Sequence, residues 1–358
     1  MQPSQSRQPR FETQTAFEKM SLSASVGSTF LLVGLMIWSA YLIVKGVSRF
    51  VQPSLTPSIR SVSSPPYRFT QVKSVPTGLF RYGGSTAWAP IRLIVDSSIQ
   101  SQRLEFQLRY VEPSEFPASS SEGIRMLLSG QLSFAQSARP LMQWEYEAAK
   151  QRGFSLKQIP VAIDGIALAV HPRLNLSGLT LDQLQLIYSG QIRNWKQVGG
   201  PDLDITPYWR SRNATSGMTL PLGGLHTRPS DMMNLRFVPT TTTALNRLAE
   251  FPGGIYYASA SLLAPQCSVK LLPLGRQPGK FVAPYNKRET PTNRCPTQRY
   301  QSNLSAFQTG QYPITRYLYV IVKENQEVEQ QAGEAYAKFL LTPQGQALLS
   351  QAGFAPLR

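Results

Sequence analysis

Histidine and cysteine are nearly missing from this chain: two of each, His171, His226, Cys267 and Cys295, in 358 residues. The cysteines lie too far apart for a zinc knuckle, and so few histidines exclude most zinc chemistries, so no metal site is expected. In an exported chain the two cysteines would close one disulfide; in a reducing compartment they would be buried thiols. Catalytic motifs are missing too. There is no G-x-S-x-G, no H-E-x-x-H and no G-x-x-x-x-G-K-[ST], which removes the usual serine hydrolase, zinc protease and nucleotide hydrolase signatures. His171 precedes Pro172 at a strand end and His226 lies in a Gly and Pro-rich segment, so both read as structural or solvent-facing. Asp202 and Asp204 flank Leu203 within a Pro and Gly turn, the composition of a solvated loop. The reading is a non-enzyme without a cofactor. Acidic residues are also few. Twenty Asp and Glu face 36 Lys and Arg, giving a net charge of +16, which makes anions or anionic surfaces the expected partners. The basic run between residues 276 and 299 reads as solvated surface, against the alternative of a patch that faces anionic lipid.

With 42% hydrophobic residues, the length suffices for one large or two medium domains with real cores. No charge occurs between Lys19 and Lys45, and "TFLLVGLMIWSAYLIV" with its flanks reaches the roughly 20 apolar residues that cross a bilayer. The apolar run continues past the one small-residue site, Trp38-Ser39-Ala40, so an uncleaved anchor over 23–47 is favoured over a cleaved signal. An arm over 1–22 would then lie inside and a large domain outside, in the periplasm. The Pro and Ser-rich stretch 48–77 reads as a linker.

From residue 78 onward short apolar runs alternate with helical patterns, as in an α/β fold with parallel strands. "RLEFQLRYV" (103–111) alternates like a strand and "GIRMLLSGQ" (123–131) spaces its apolar residues like a helix face. "GIALAVHP" (165–172) and "RYLYVIV" (316–322) read as buried strands, Thr180 caps the helix of "TLDQLQLIYSG" (180–190), and the last stretch, 326–354, gives two helices broken near Pro343. Two lobes with a ligand cleft between them are expected.

Five stretches carry a resemblance: "GGSTAWAPI" (83–91), "SSSEGIRMLLSGQLSFAQSARPL" (119–141), "LTLDQLQLIYSGQIRNWKQVGGPDLDITPYWRSRNATSGM" (179–218), "FPGGIYYASAS" (251–261) and "YPITRYLYVIVK" (312–323). In this order they resemble the phosphate-binding proteins of bacterial ABC importers, within the type II periplasmic-binding-protein-like superfamily. The resemblance implies a Venus-flytrap architecture over 78–358, with lobe 1 at about 78–166 and 318–358 and lobe 2 at about 167–317. It also implies that the lobes close on a desolvated oxyanion held by hydroxyls, helix-start amides and an arginine.

Carried over residue by residue, the resemblance places the anion against Ser85 and Thr86, against Ser120, and against Arg212 with the amides of Ser216, Gly217 and Met218. Ser85 and Thr86 would also cap the helix behind them, and Ser120 or Ser121 would cap the next. Arg210 reads as a solvated neighbour of Arg212. This chain departs from the family at Glu122, where the pattern has glycine, and at Ala138, where phosphate-specific members carry an aspartate. Relatives with Ser-Arg there suggest Ser137 and Arg139 as anion ligands, against the alternative that Arg139 forms a structural ion pair. Pro221 shortens or distorts the helix expected after Gly217. The expected function is a membrane-anchored extracytoplasmic solute-binding protein for phosphate or a similar oxyanion, serving an ABC permease. The alternative is a degenerate domain acting as a sensor or scaffold at the membrane or cell wall. Nucleic acid is not an expected partner.

Overall fold

The computed structural model describes residues 67–210, 235–286 and 300–357, all within one compact unit, Ser64–Arg358. The expected membrane anchor, Arg212, Ser216, Gly217, Met218, Pro221, His226 and Cys295 lie outside the described residues. No helix among the described residues is long and apolar enough to cross a membrane. Cys267 is not a free thiol.

The chain is an α/β protein of two lobes. The first contains β1 (Gly78–Gly84), β2 (Phe106–Tyr110) and β3 (Phe134–Ser137), then enters the long β4 (Ser155–Val170). The second holds β5 (Leu179–Thr180), β6 (Thr206–Trp209), β7 (Arg236–Phe237), β8 (Gly254–Ser259), β9 (Lys270–Leu272), β10 (Leu274–Gln277), β11 (Lys280–Val282), β12 (Tyr285–Asn286) and β13 (Gln301–Ser302). The chain returns to the first lobe through β14 (Thr315–Glu324). The main sheet runs β2-β1-β3-β14-β4-β8-β6-β7, with β9 also on β4.

The strand β4 serves both lobes. Its stretch from Ser155 to Gly165 pairs antiparallel with β14, and its stretch from Ile166 to Val170 pairs with β8. Its accessibility changes along its length, from alternating at Ser155 to continuously buried at Val170, because the second half is covered on both faces. The apolar cores divide at the same point. One holds Leu168, Tyr188, Trp195 and Tyr257. The other lobe carries a core on each sheet face, around Trp88, Phe106 and Tyr336 and around Ile124, Leu127 and Leu132.

Local signals hold where they are short-range. Thr180 Oγ1 accepts from the Gln183 amide and caps the helix Leu181–Tyr188. Pro343 starts a second helix, Pro343–Gln351, directly after Val328–Leu341. Packing begins earlier than expected. Phe69 and Val72, inside the stretch read as linker, are buried in the first lobe's core, and Arg103 donates to both of their carbonyls. A Pro and Ser-rich composition hid these two anchors.

Candidate functional site

Two close backbone approaches shape the first lobe's rim. A Cβ at Gly84, where φ is +131°, would stand 2.2 Å from the Gln136 carbonyl oxygen, and a Cβ at Gly123 would stand 2.4 Å from the Gly84 Cα. Only glycine at both points lets the end of β1, the end of β3 and the first turn of the helix Ser120–Leu128 meet. The loop at Ser85 and the helix start at Ser120 therefore open on one cleft. That cleft has a volume of about 660 Å³ and is lined from the first lobe by Ser85, Thr86, Ser120, Glu122 and Ala138, and from the second by Arg210, Thr241 and Tyr256. Thr86 begins a short 3-10 turn, and Thr241 opens the helix Thr241–Glu250. Three helical N-termini thus border the cleft, and first-turn amides with their dipoles favour an anion.

Several of the expected ligands are at the cleft, with defined partners. The Ser85 hydroxyl accepts from the Ala87 amide at 3.3 Å, so it caps the turn as expected. The Ser120 hydroxyl accepts from the Ala138 amide at 3.0 Å. The helix cap is neither Ser120 nor Ser121 but Ser119, whose hydroxyl accepts from the Glu122 amide. Ser120 is left as a tie between the first turn and the end of β3. Glu122 does line the cleft, and its carboxylate is held by the Arg125 guanidinium through Nε and Nη2.

Ser137 and Arg139 do not reach the cleft. The Ser137 hydroxyl donates to the Arg139 carbonyl at 2.6 Å. The Arg139 fork grips both oxygens of Glu145, at 2.9 and 2.6 Å, and its Nη2 also donates to Ser121 Oγ. With 7% and 0% of the two side chains exposed, this is the structural ion pair. It occupies the guanidinium that the resemblance offered to an anion.

Arg210 is the residue that the sequence reading undervalued. It leaves the end of β6, crosses from the second lobe, and donates to Thr86 Oγ1 at 2.7 Å and to the Ala118 carbonyl at 3.2 Å. Both partners are uncharged, and no carboxylate among the described residues neutralises it. The alternation of β6 alone could have pointed to Arg210 following Trp209 out of the sheet, but not to its span. Arg316, also missed, lines the cleft at the lobe crossing. It donates through Nε and Nη2 to Asp164 Oδ2, at 3.0 and 2.9 Å. Asp164 is fully buried and accepts from Ser259 as well; burial pushes its carboxyl up, against the pull of Arg316.

Behind the Ser85 loop lies a second buried acid, Asp96, which accepts hydroxyl hydrogen bonds from Tyr82 and Tyr336. Tyr336 in turn accepts from Gln136, and Gln136 Oε1 accepts from Arg92. Burial pushes the Asp96 carboxyl up to about 6, with Tyr82, Tyr336 and Arg92 pulling the other way. No group of His, Cys, Asp and Glu among the described residues is arranged to hold a metal ion.

Comparisons with known proteins agree with this architecture. Phosphate-binding protein PstS of Pseudomonas aeruginosa is 26% identical over 261 residues, 67% of this chain and 72% of that protein. A structure from Clostridium perfringens, described as a phosphate ABC transporter substrate-binding protein with bound phosphate, aligns with a TM-score of 0.61 at 20% identity. It covers 78% of this chain and all of that one. An ABC-type phosphate transport receptor from Vibrio cholerae aligns with a TM-score of 0.56 at 22% identity, over 77% of this chain and 99% of the receptor. These relatives are binding proteins, not enzymes. The model of the PBP superfamily domain matches residues 71–344, so a two-lobed fold, a cleft at the lobe crossing and a family match over most of the chain converge: the chain belongs to the PBP superfamily.

Proposed function

We propose that this chain is a membrane-anchored, extracytoplasmic solute-binding protein that captures phosphate or a similar oxyanion between its lobes and delivers it to an ABC permease. The observation that carries this reading is Arg210, a guanidinium that spans the cleft with only uncharged partners. An arginine cannot shed its proton, so such a charge is balanced best by an anion that takes over its hydrogen bonds. Thr86 and Ser120 and the first-turn amides beside them supply further donors. Arg212, Ser216, Gly217 and Met218 would add the second-lobe half of the clamp, and residues 23–47 the anchor. Lobe closure about β4 and β14 would be the working motion, with no covalent chemistry. Pairing of Cys267 with Cys295 fits the same extracytoplasmic location.

Calorimetric titration of the purified chain with phosphate, sulfate and arsenate tests this reading. Saturable binding of at least one oxyanion is expected, with affinity falling as salt is raised. A folded protein that binds none of them at millimolar concentration overturns it. The sensor or scaffold alternative draws support from one observation, that Arg210 ties the lobes together through Thr86 and Ala118. It predicts that null result.

A further inference from the structure

The loop that carries Ser85 and Thr86 is held from behind. The Ser85 amide donates to the Gln136 carbonyl at 2.8 Å, and the Ser85 carbonyl accepts from Arg92 Nη1 at 3.4 Å. The same Nη1 donates to Gln136 Oε1 at 3.1 Å, and the guanidinium lies over the Tyr110 ring, 4.1 Å from its centroid. Holding Ser85 at its amide and at its carbonyl sets the direction of the next residue, Thr86, at the cleft.

The reach of Arg92 depends on an irregular helix. From Thr86 the chain coils continuously to Gln102, but it widens into one π turn over Arg92–Asp96. Such turns are rare and are frequent at functional sites. This one carries Arg92 at its first position and the buried Asp96 at its last. Gln136 Nε2 donates to the Tyr336 hydroxyl at 2.9 Å, and Tyr336 donates to Asp96 Oδ1 at 2.7 Å. The acid is therefore joined to the loop through Tyr336, Gln136 and Arg92.

The groups that face Asp96 are Tyr82 from β1, Tyr336 from the helix Val328–Leu341 and Arg92 from its own turn. The helices Ser97–Gln102 and Pro343–Gln351 also pack on this turn, and their sequences hold no ionisable residue. An arginine keeps its proton, so Asp96 is the member of the group that changes charge. Ionised, it offsets the positive charge behind the loop; protonated, it leaves that charge whole. Burial pushes its carboxyl up to about 6, and charges in the protein interior are weakly screened. An anion at Thr86 gains from the protonated state.

We propose that Arg92 and Asp96 form a proton-linked positioning device for the anion loop, so that the first lobe takes up an anion at Thr86 and a proton on Asp96 together. Neither residue lines the cleft; Arg92 acts by aiming the loop and Asp96 by setting the charge behind it. By linkage, a bound anion tightens the hold of Asp96 on its proton by the same factor. The inference rests on the oxyanion reading above and adds a regulation to its first-lobe half.

The test titrates the full chain with sulfate, whose charge is constant over the range, and with inorganic phosphate, by calorimetry from pH 5 to pH 8. Asp96→Asn serves as the form that stays neutral, and the ionisation of phosphate itself cancels between the two proteins. The parent is expected to match Asp96→Asn near pH 5 and to bind about 5-fold more weakly than it near pH 8. Arg92→Gln is expected to weaken binding and to move the fall in affinity to higher pH, because the guanidinium no longer pulls the carboxyl down; Arg92→Lys is expected to return the midpoint toward that of the parent. Should Asp96→Asn fail to fold, Tyr82→Phe keeps the acid, removes one donor to it and is expected to move the fall to higher pH as well. A ratio of parent to Asp96→Asn that is independent of pH, or a midpoint that Tyr82→Phe leaves in place, sinks this proposal and leaves the oxyanion reading standing. Binding of neither anion by the folded parent overturns both.

Discussion

Arg139 and Arg210 stand at the ends of two strands of one sheet, β3 and β6, and have opposite fates. Arg139 meets Glu145, six residues on at the start of the helix Gln143–Gln151, and is sealed into a buried, two-pronged ion pair. Arg210 meets only a threonine hydroxyl and a carbonyl across the cleft. The difference lies in the neighbours and not in the arginines. A buried guanidinium is tolerated when a carboxylate takes both prongs of the fork. One that reaches a solvent-filled cleft keeps its charge available. The first lobe has used its arginine to fix the rim, and in the function proposed above the second lobe presents its own to a ligand.

Crossed substitutions break this comparison most sharply. Glu145→Ala strands the Arg139 charge inside the first lobe and uncovers the Met142 amide that Glu145 accepts. It is expected to cost about 3–5 kcal/mol of stability in urea denaturation. Arg210→Ala is expected to change stability by less than about 1 kcal/mol while weakening anion binding by about 10 to 100-fold, the range for a lost charge-assisted hydrogen bond. If Arg210→Ala unfolds the protein, or binds anions as well as the parent, the two arginines do not divide the labour as described.

Asp96 sharpens the comparison from the other side, as a charge that no ligand can reach. It is fully buried, with hydroxyl donors from β1 and from the helix Val328–Leu341, and Arg92 on its own helical turn. Unlike an arginine, it can neutralise itself by taking a proton. Its folded-state value of about 6 lies above the ordinary 3.8, so the folded state holds this proton longer than the unfolded chain. Stability from this group is therefore greatest below about pH 4 and falls as pH rises through 6. The full cost above that is about 3 kcal/mol, at 1.36 kcal/mol for each pH unit. Asp96→Asn should flatten this slope in denaturation series from pH 4 to pH 7. An unchanged slope would assign the pH dependence to other groups.

The contrast also explains what could be read in advance. The order of strands and helices, the Thr180 cap and the helix pair split at Pro343 all depend on near neighbours in sequence, and they were legible. Ser85, Thr86 and Ser120 line the cleft, and it was the family resemblance, not a local pattern, that singled them out. Arg139 was ambiguous, since nothing in "QSARP" says that Glu145 folds back onto it. The reach of Arg210 was missed because it depends on how two lobes meet. The aromatic residues that line the cleft, Phe116, Trp144, Trp209 and Tyr256, are scattered over the chain and have no period to detect. The first half of β4, with its exposed polar residues, gave no strand signal because only β14 defines it.

The smallest expected effect belongs to Glu122, the one carboxylate among the described residues that lines the cleft. It stands where the family pattern has glycine, and it is positioned by the Ser119 cap and gripped by Arg125. The Arg125 side chain is 46% exposed, so solvent screens the pair and its contribution to stability is under about 1 kcal/mol. Toward a bound anion the carboxylate acts the other way, as a fixed like charge at the helix start. Glu122→Gln keeps the side chain's shape, removes the repulsion and releases Arg125 toward the ligand. Anion affinity should rise by about 3 to 10-fold at low ionic strength, and the gain should shrink as the Debye length falls from about 10 Å at 0.1 M salt to about 3 Å at 1 M. A loss of affinity, or a gain indifferent to salt, would mean that Glu122 helps to hold the ligand, and the first lobe would then supply more than a rigid rim.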